Sequence, residues 1–465
     1  SHAASSGSHA LASGSLVIHV IALSLWVGGL ISMGLMSERD RNLSINRFSE
    51  IALWCAIFVA GSGLINAWVR LNFKASFGTT YFKLVMIKLI GTTILILIGY
   101  IHRSNLKKQS INLVKFMRLL GIEAGLMIFL IAIGSWLNSN QAPNRPNFTL
   151  LVPQMPTFWN LLTGFEPDAF FISATLIAFI LYLKGMYALK KRGDSWPIWR
   201  PIVFLISLTL INYATSGGIG LYAYYKFSSH MIGHMILGMI APIGIVLAAP
   251  ITLALRTLPS SRVPGEYGVR GLLLSILHSK YSRIISNPVL ALAIFDGSLF
   301  VLYFTNIFGA LMGNHVGHLV MNLHFILAGI LFYHVVIGVD PNPKRVPHIV
   351  RIIILFAAMS IHAWFSITVL MASSPLDGNY FQSLQLSWGP NLLDDQRMGG
   401  SIGWALGEIP ILIALAATFI QWMRDDNKES ARIDRATQRA EAMGLDDELA
   451  EYNRYLAELN RRDNL

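Results

Sequence analysis

Apolar runs of eighteen or more residues recur along most of this chain, and each is long enough to cross a hydrocarbon core about 30 Å thick. Reading for windows of about 20 apolar residues gives eleven candidate spans, at 14–36, 48–69, 82–101, 117–137, 169–190, 198–215, 230–256, 288–311, 316–338, 350–372 and 401–423. The predicted fold class is all-α, a polytopic membrane helix bundle. Composition agrees: 54% of residues are hydrophobic and only 13% charged, about half the charge of a soluble domain. An ordinary cytosolic enzyme is thereby excluded.

The connections sort by charge. Segments 38–47, 102–115, 184–200, 256–283 and 344–351 are rich in Lys and Arg and fall on alternate loops, whereas 138–168, 216–229 and 373–400 carry few. The positive-inside rule places the first set in the cytoplasm, so the N-terminus is expected outside and the C-terminus inside. From Arg424 onward the chain has 8 Lys/Arg against 11 Asp/Glu, so the overall net charge of +11 resides in the loops. That pattern reports topology and contact with anionic membrane lipid, not nucleic acid.

Four regions follow. Residues 1–140 form a four-helix membrane part whose start, a short Ser/Gly/Ala/His stretch unlike a signal peptide, is expected to be processed or truncated. Residues 141–166 form an outer linker with Pro143, Pro146, Pro153 and Pro156, stiff and unsuited to burial; Trp159 and Phe165 at its end suit the headgroup interface. Residues 167–423 form a seven-helix membrane part. Residues 424–465 form a charged tail, apolar at Ile433, Ala436, Ala440 and Met443 and again at Leu449, Tyr452, Leu456 and Leu459, with a break near Gly444. Its spacing predicts a short cytoplasmic helical hairpin.

A single cysteine, Cys55, excludes an internal disulfide framework, a CxxC pair and a thiolate metal site. The chemistry therefore falls to thirteen histidines. His230 and His234 open the span at 230–256, and His315, His318 and His324 open the one at 316–338, all on the expected outer side. Spacings of four and three put His230 with His234, and His315 with His318, on common helix faces. At about 100° per residue, His324 points roughly 120° away from His318. His362 lies about 15 Å from the outer end of its span and is placed to close the same cavity from below. His2, His9, His102, His278 and His348 read as solvated. Imidazole without thiolate suits copper, zinc, iron or nickel, and thioether favours Cu(I). Met231, Met235 and Met239 recur every four residues beside the first pair, with Met312 and Met321 near the second, so copper leads, with Met235 as an added donor. Glu123, Asp296 and Glu408 are further polar groups inside spans, where ionisable side chains are costly and candidates for function. Asp395, just before the last span, is placed to orient a ligand imidazole.

Several stretches resemble the CtaG-type cytochrome c oxidase assembly factors: Phe227-Ser-Ser-His-Met-Ile-Gly-His-Met235 with Ala241-Pro242, Gly317-His-Leu-Val-Met-Asn-Leu-His-Phe325 running on to Gly338-Val-Asp-Pro341, Ile361-His-Ala-Trp364, and Asp395-Gln396 leading to Gly407-Glu-Ile-Pro410. His19 with Trp26-Val-Gly-Gly29, Arg47-Phe-Ser49, Gly63-Leu-Ile-Asn-Ala67, and Tyr81 with Lys88 are similar to the CopD copper resistance and uptake family. A fusion in that order resembles actinobacterial CopD/CtaG proteins. The resemblance implies a multi-pass protein of the bacterial plasma membrane. It implies copper, as Cu(I), handled on the outer side for the copper centres of cytochrome c oxidase, with oxidase or respiratory supercomplex subunits as partners. The residues it implies for copper are His230, His234, His318, His324, His362 and His315. Passing a metal by ligand exchange requires no bond-making chemistry, so no enzyme activity is expected. The residues alone leave three other classes open: a b-type cytochrome using the same histidines, a di-iron desaturase, and a copper transporter with Asp296 or Glu408 on its path.

Overall fold

The computed structural model describes residues 9–71, 78–107, 113–140, 153–261, 268–342, 346–442 and 448–462. Among these, nine helices are long and apolar enough to cross a membrane: Ala10–Leu35, Leu43–Arg70, Thr80–Ser104, Arg118–Ser139, Ala169–Lys191, Phe227–Thr257, His315–Ile337, His348–Met371 and Leu392–Arg439. The bundle is all-α, as expected. Two of the eleven predicted spans are not among the nine. The stretch at 198–215 is the 18-residue helix Trp199–Ser216. The stretch at 288–311 is not continuous: an apolar helix Pro288–Tyr303 ends, and Ile307–Met312 follows. Thr305 Oγ1 accepts from the amide of Ile307 and so restarts the chain after the break.

Local irregularities shape the larger part. Phe227–Met235 passes into a π-helical turn, Ile236–Ile240, before Ala241–Leu247. Ala249 then adopts φ 52° ahead of Pro250, a left-handed conformation costly for a residue with a Cβ, and the helix restarts as Pro250–Thr257. Asp340 caps that restart, accepting from the amides of Ile251 and Thr252 at 3.2 and 2.7 Å and from the Thr252 hydroxyl. The acidic residue of the Gly338-Val-Asp-Pro341 stretch thus tethers two helices.

Leu392–Ala442 is one helix of 51 residues, about 76 Å long, so the last span runs without interruption into the charged segment. The apolar and charged stretches share one helical register with no breaker between them, and a second tail helix, Glu448–Arg462, lies beyond Gly444. The expected break near Gly444 lies outside the described residues. The Pro-rich linker is described from residue 153, and there it is pinned down: Trp388 Nε1 donates to the Pro153 carbonyl and the Tyr222 hydroxyl to that of Gln154, both at 2.8 Å. Trp159 and Phe165 are exposed.

The two membrane parts have separate apolar cores. One gathers Trp26, Met33, Cys55, Leu95 and Met127; the other is far larger, centred on the Phe227–Thr257 and His315–Ile337 helices. They meet where His9–Leu35 crosses Ala169–Lys191. Asp168 starts the second of these helices by accepting from the amides of Phe170 and Phe171. Gly14 sits on that cap, where a Cβ would stand 2.8 Å from both Asp168 Oδ1 and the Phe170 nitrogen, so the crossing requires glycine. Asp168 lies outside the spans, and burial pushes its carboxyl up to about 6.

Candidate metal centre

The helix carrying His230 and His234 begins at Phe227 with no cap from its own Lys226 side chain. Asp395, from the start of Leu392–Ala442, supplies the cap instead. It accepts from the Ser228 hydroxyl at 2.5 Å and the Ser228 amide at 3.3 Å, and it pairs with Lys226 at 3.4 Å. A carboxylate at a helix N-terminus meets unpaired N–H groups and the positive end of the dipole. Asp395 therefore does not bond a ligand imidazole, as the sequence suggested; it fixes the helix on which two imidazoles stand.

Three histidines come together. The rings of His230 and His234 lie 4.0 Å apart, and those of His230 and His318 lie 5.6 Å apart. All three are buried, and aromatic rings close around them: Phe308 against His230 at 5.0 Å, Phe325 against His234 at 4.1 Å, and Tyr224 against His318 at 4.3 Å. Two of the imidazoles are oriented through Nδ1. The Tyr303 hydroxyl lies 3.0 Å from His234 Nδ1, and the Asn322 amide nitrogen 3.4 Å from His318 Nδ1. This leaves His234 Nε2 buried without a hydrogen-bond partner. Neither ring nitrogen of His230 has a well-formed one, the Ala223 carbonyl being a marginal neighbour. A buried polar group left unpaired costs about 1–3 kcal/mol, and the unpaired nitrogens of His230 and His234 lie among the same buried rings. Met231, Met235, Met239, Met312 and Met321 are all buried in the same core. Imidazole and thioether groups thus share this part of the bundle. In the arrangement of the described residues, no three His, Cys, Asp or Glu side chains converge tightly enough to hold an ion.

The other expected residues lie elsewhere. His324 is exposed, edge-on to Phe325, on the far face of its helix as its 120° offset predicts. His315 is half-buried at the rim of the cluster and stacks on Tyr224 at 5.5 Å, nearly parallel. Met235 is in the core beside His234. Glu408 accepts from Trp404 Nε1 on a face shared with exposed Trp404 and Ile409, turned away from the histidines. His362 does not join the trio's ring contacts. Its Nδ1 is 3.3 Å from Asp296 Oδ1 and its Nε2 is 3.2 Å from the Gly403 carbonyl. A Cβ at Gly407 would overlap that Nε2, so the Leu392–Ala442 helix approaches only because the residue there is glycine.

His362 and Asp296 form a buried unit of their own. Both neighbours of the imidazole are acceptors, so both hydrogen bonds form together when the ring carries two protons, or when Asp296 carries one. Asp296 stands in a second π-helical turn, Ala293–Gly297; such turns recur at functional sites. Asp296 Oδ2, the Tyr333 hydroxyl and the Ser366 hydroxyl are buried without partners.

Of the histidines read as solvated, His278 is exposed and His348 approaches Asp425 at 3.2 Å. His102 is a correction: it lies within the Thr80–Lys107 helix, 3.8 Å from Glu123, because that helix continues past the predicted end of its span. His2 lies outside the described residues. Sequence reasoning missed Asn322 and Tyr303. Asn322 had a signal, four residues from His318 on the same helix face. Tyr303 had none, since its position depends on the break after residue 303.

The comparisons with known proteins divide the chain in the same way. The family model of the cytochrome c oxidase caa3 assembly factor (Caa3_CtaG) matches residues 180–425, and that of copper resistance protein D (CopD) matches residues 43–137. Uncharacterized proteins of Mycobacterium tuberculosis and Mycobacterium bovis are each 38% identical over 310 residues, covering 67% of this chain and 46% of theirs. One of Mycobacterium leprae is 35% identical over 310 residues, 67% of this chain and 47% of its own. The chain spans about half the length of the curated relatives it matches. No solved structure matches it.

Proposed function

The chain belongs to the cytochrome c oxidase caa3 assembly factor family, and on that premise we propose that it holds Cu(I) at His230, His234 and His318 on the outer side of the membrane and passes it to a copper centre of cytochrome c oxidase. Copper here is cargo. The observation that carries the reading is His230, buried with both ring nitrogens lacking a well-formed partner, 4.0 Å from the His234 ring whose Nε2 is likewise free. Neutral imidazoles in an aromatic and thioether surround, with no carboxylate among the ring contacts, suit a soft monovalent cation better than a hard divalent one. The Tyr303 hydroxyl, accepting from the Nδ1–H of His234, leaves Nε2 of that ring for the metal, and the Asn322 amide does the same for His318 once it presents its oxygen to Nδ1. Closing on an ion requires side-chain rotation, which also makes release by ligand exchange feasible. The match of residues 43–137 to a copper resistance model favours a role for the N-terminal part in the same copper traffic. The outward placement rests on the loop charges.

Metal content and the visible spectrum of the purified protein after Cu(I) loading test the reading, comparing wild type with the His230→Ala/His234→Ala double variant. Bound copper that falls in the variant, without a Soret band, is the expected result. No copper in either protein, or a haem spectrum lost in the variant, overturns it in favour of the cytochrome reading or a structural histidine cluster.

A further inference from the structure

At the basic end of the larger part, the helices Ala169–Lys191 and Pro250–Thr257 end beside each other, and a cleft of about 670 Å3 opens between them, lined by Arg192, Asp194, Arg256, Ser260 and Arg270. Three guanidinium groups face one carboxylate. Arg192 is held rigid, donating to the carbonyls of Arg256 and Thr257 at 2.8 and 3.4 Å. Arg256 reaches Asp194 at 3.3 Å with one nitrogen. Arg270 is exposed and makes no hydrogen bond or ion pair among the described residues. Planar guanidinium forks match the oxygens of a phosphate, singly or in pairs.

The surroundings point to a lipid as the bearer of that phosphate. Trp196 lies beneath the guanidinium groups of Arg200 and Arg256, at 4.6 and 5.8 Å, and Trp199 lies 5.6 Å from that of Arg200; tryptophan prefers the headgroup level of a membrane. The helix that carries Arg270, Val269–Leu277, exposes Val269, Leu272 and Ile276, and the next helix exposes Tyr281 and Ile284. An apolar face directly beside a basic cleft at the end of a bundle accommodates acyl chains and headgroup together. We propose that this cleft binds the phosphate of an anionic phospholipid headgroup, gripped between Arg256 and Arg270 over the fixed guanidinium of Arg192. The site is independent of the copper reading.

The full-length protein is reconstituted into phosphatidylcholine vesicles containing a minority of spin-labelled phosphatidylglycerol, and the labelled lipid held at the protein is measured against labelled phosphatidylcholine. Each of Arg256→Gln and Arg270→Gln is expected to lower the preference about fivefold. Arg283→Gln, at the same end but outside the cleft, is expected to leave it unchanged. Because Arg270 has no partner to lose among the described residues, its variant tests the site with little disturbance of the fold. No effect of either cleft variant, or an equal effect of all three, overturns the site in favour of diffuse charge. Displacement of the lipid by millimolar inorganic phosphate, with phosphate itself binding in lipid-free detergent, assigns the cleft to a free anion and overturns the lipid.

Discussion

The two membrane parts satisfy their buried polar groups differently. In the N-terminal part several of those inside the bundle meet a complement, His19 Nδ1 with the Ser62 hydroxyl and the Val59 carbonyl, Asn66 Nδ2 with Ser15, and Glu123 with Trp26 and His102, although Asn66 Oδ1 and Arg70 Nε lack one. Its spans are lightly buried, at 22–28% of each window, so most of their surface faces outward. In the larger part the central helices are 67% and 61% buried, yet His230, His234, Asp296, Tyr333 and Ser366 keep unpartnered polar atoms inside. Buried polar groups without partners are rare in a well-packed interior. The contrast separates histidines that tie helices together from histidines whose ring nitrogens are left open.

Four substitutions or conditions test that contrast. Tyr303→Phe removes the hydroxyl that orients His234 while keeping the ring, and is expected to weaken Cu(I) binding by about 10–100-fold, read by competition with a Cu(I) chelator; unchanged affinity would mean that His234 is no ligand. Asp296→Ala leaves His362 buried without its carboxylate and is expected to cost about 3–5 kcal/mol of stability, measured by detergent-induced unfolding, while copper content stays at the wild-type level. Copper lost with the fold intact would instead join His362 to the metal site.

At the junction of the two parts, the carboxyl of Asp168 rises to about 6 from an ordinary 3.8. The folded state thus binds this proton more tightly than the unfolded one. Its stabilising contribution is full below about pH 4 and is lost as pH rises through about 6, amounting to at most about 3 kcal/mol. Stability measured from pH 4.5 to 7.5 should fall in wild type and flatten in Asp168→Asn; a rise with pH would contradict the burial that causes the shift. The smallest effect is expected in the N-terminal part, where His19→Ala loses hydrogen bonds worth about 1 kcal/mol and should leave copper at the His230 cluster untouched. A copper loss equal to that of His230→Ala would erase the distinction between the two parts.

Much of this was legible in the chain because it is periodic and local. Hydrophobic runs placed the spans, spacings of four and three paired the histidines on helix faces, and the 100° step turned His324 away from His318 before any fold was known. Residue pairs distant in sequence were not legible. His362 was expected beneath the histidine cavity, but its imidazole belongs to Asp296, 66 residues away. Asp395 was expected on an imidazole, and it caps a helix 167 residues away.

The sequence by itself determined an all-α membrane bundle in two parts, the residue types available for a metal, and the helix faces that carry them, since all of these follow from apolar length and helical period. Only the tertiary structure decided which faces meet. The π-helical turns at Ile236–Ile240 and Ala293–Gly297, the break after Tyr303 and the glycines at 14 and 407 set the rotation and approach of neighbouring helices. Those quantities arise from side-chain packing between segments, to which the periodicity of any one segment is blind.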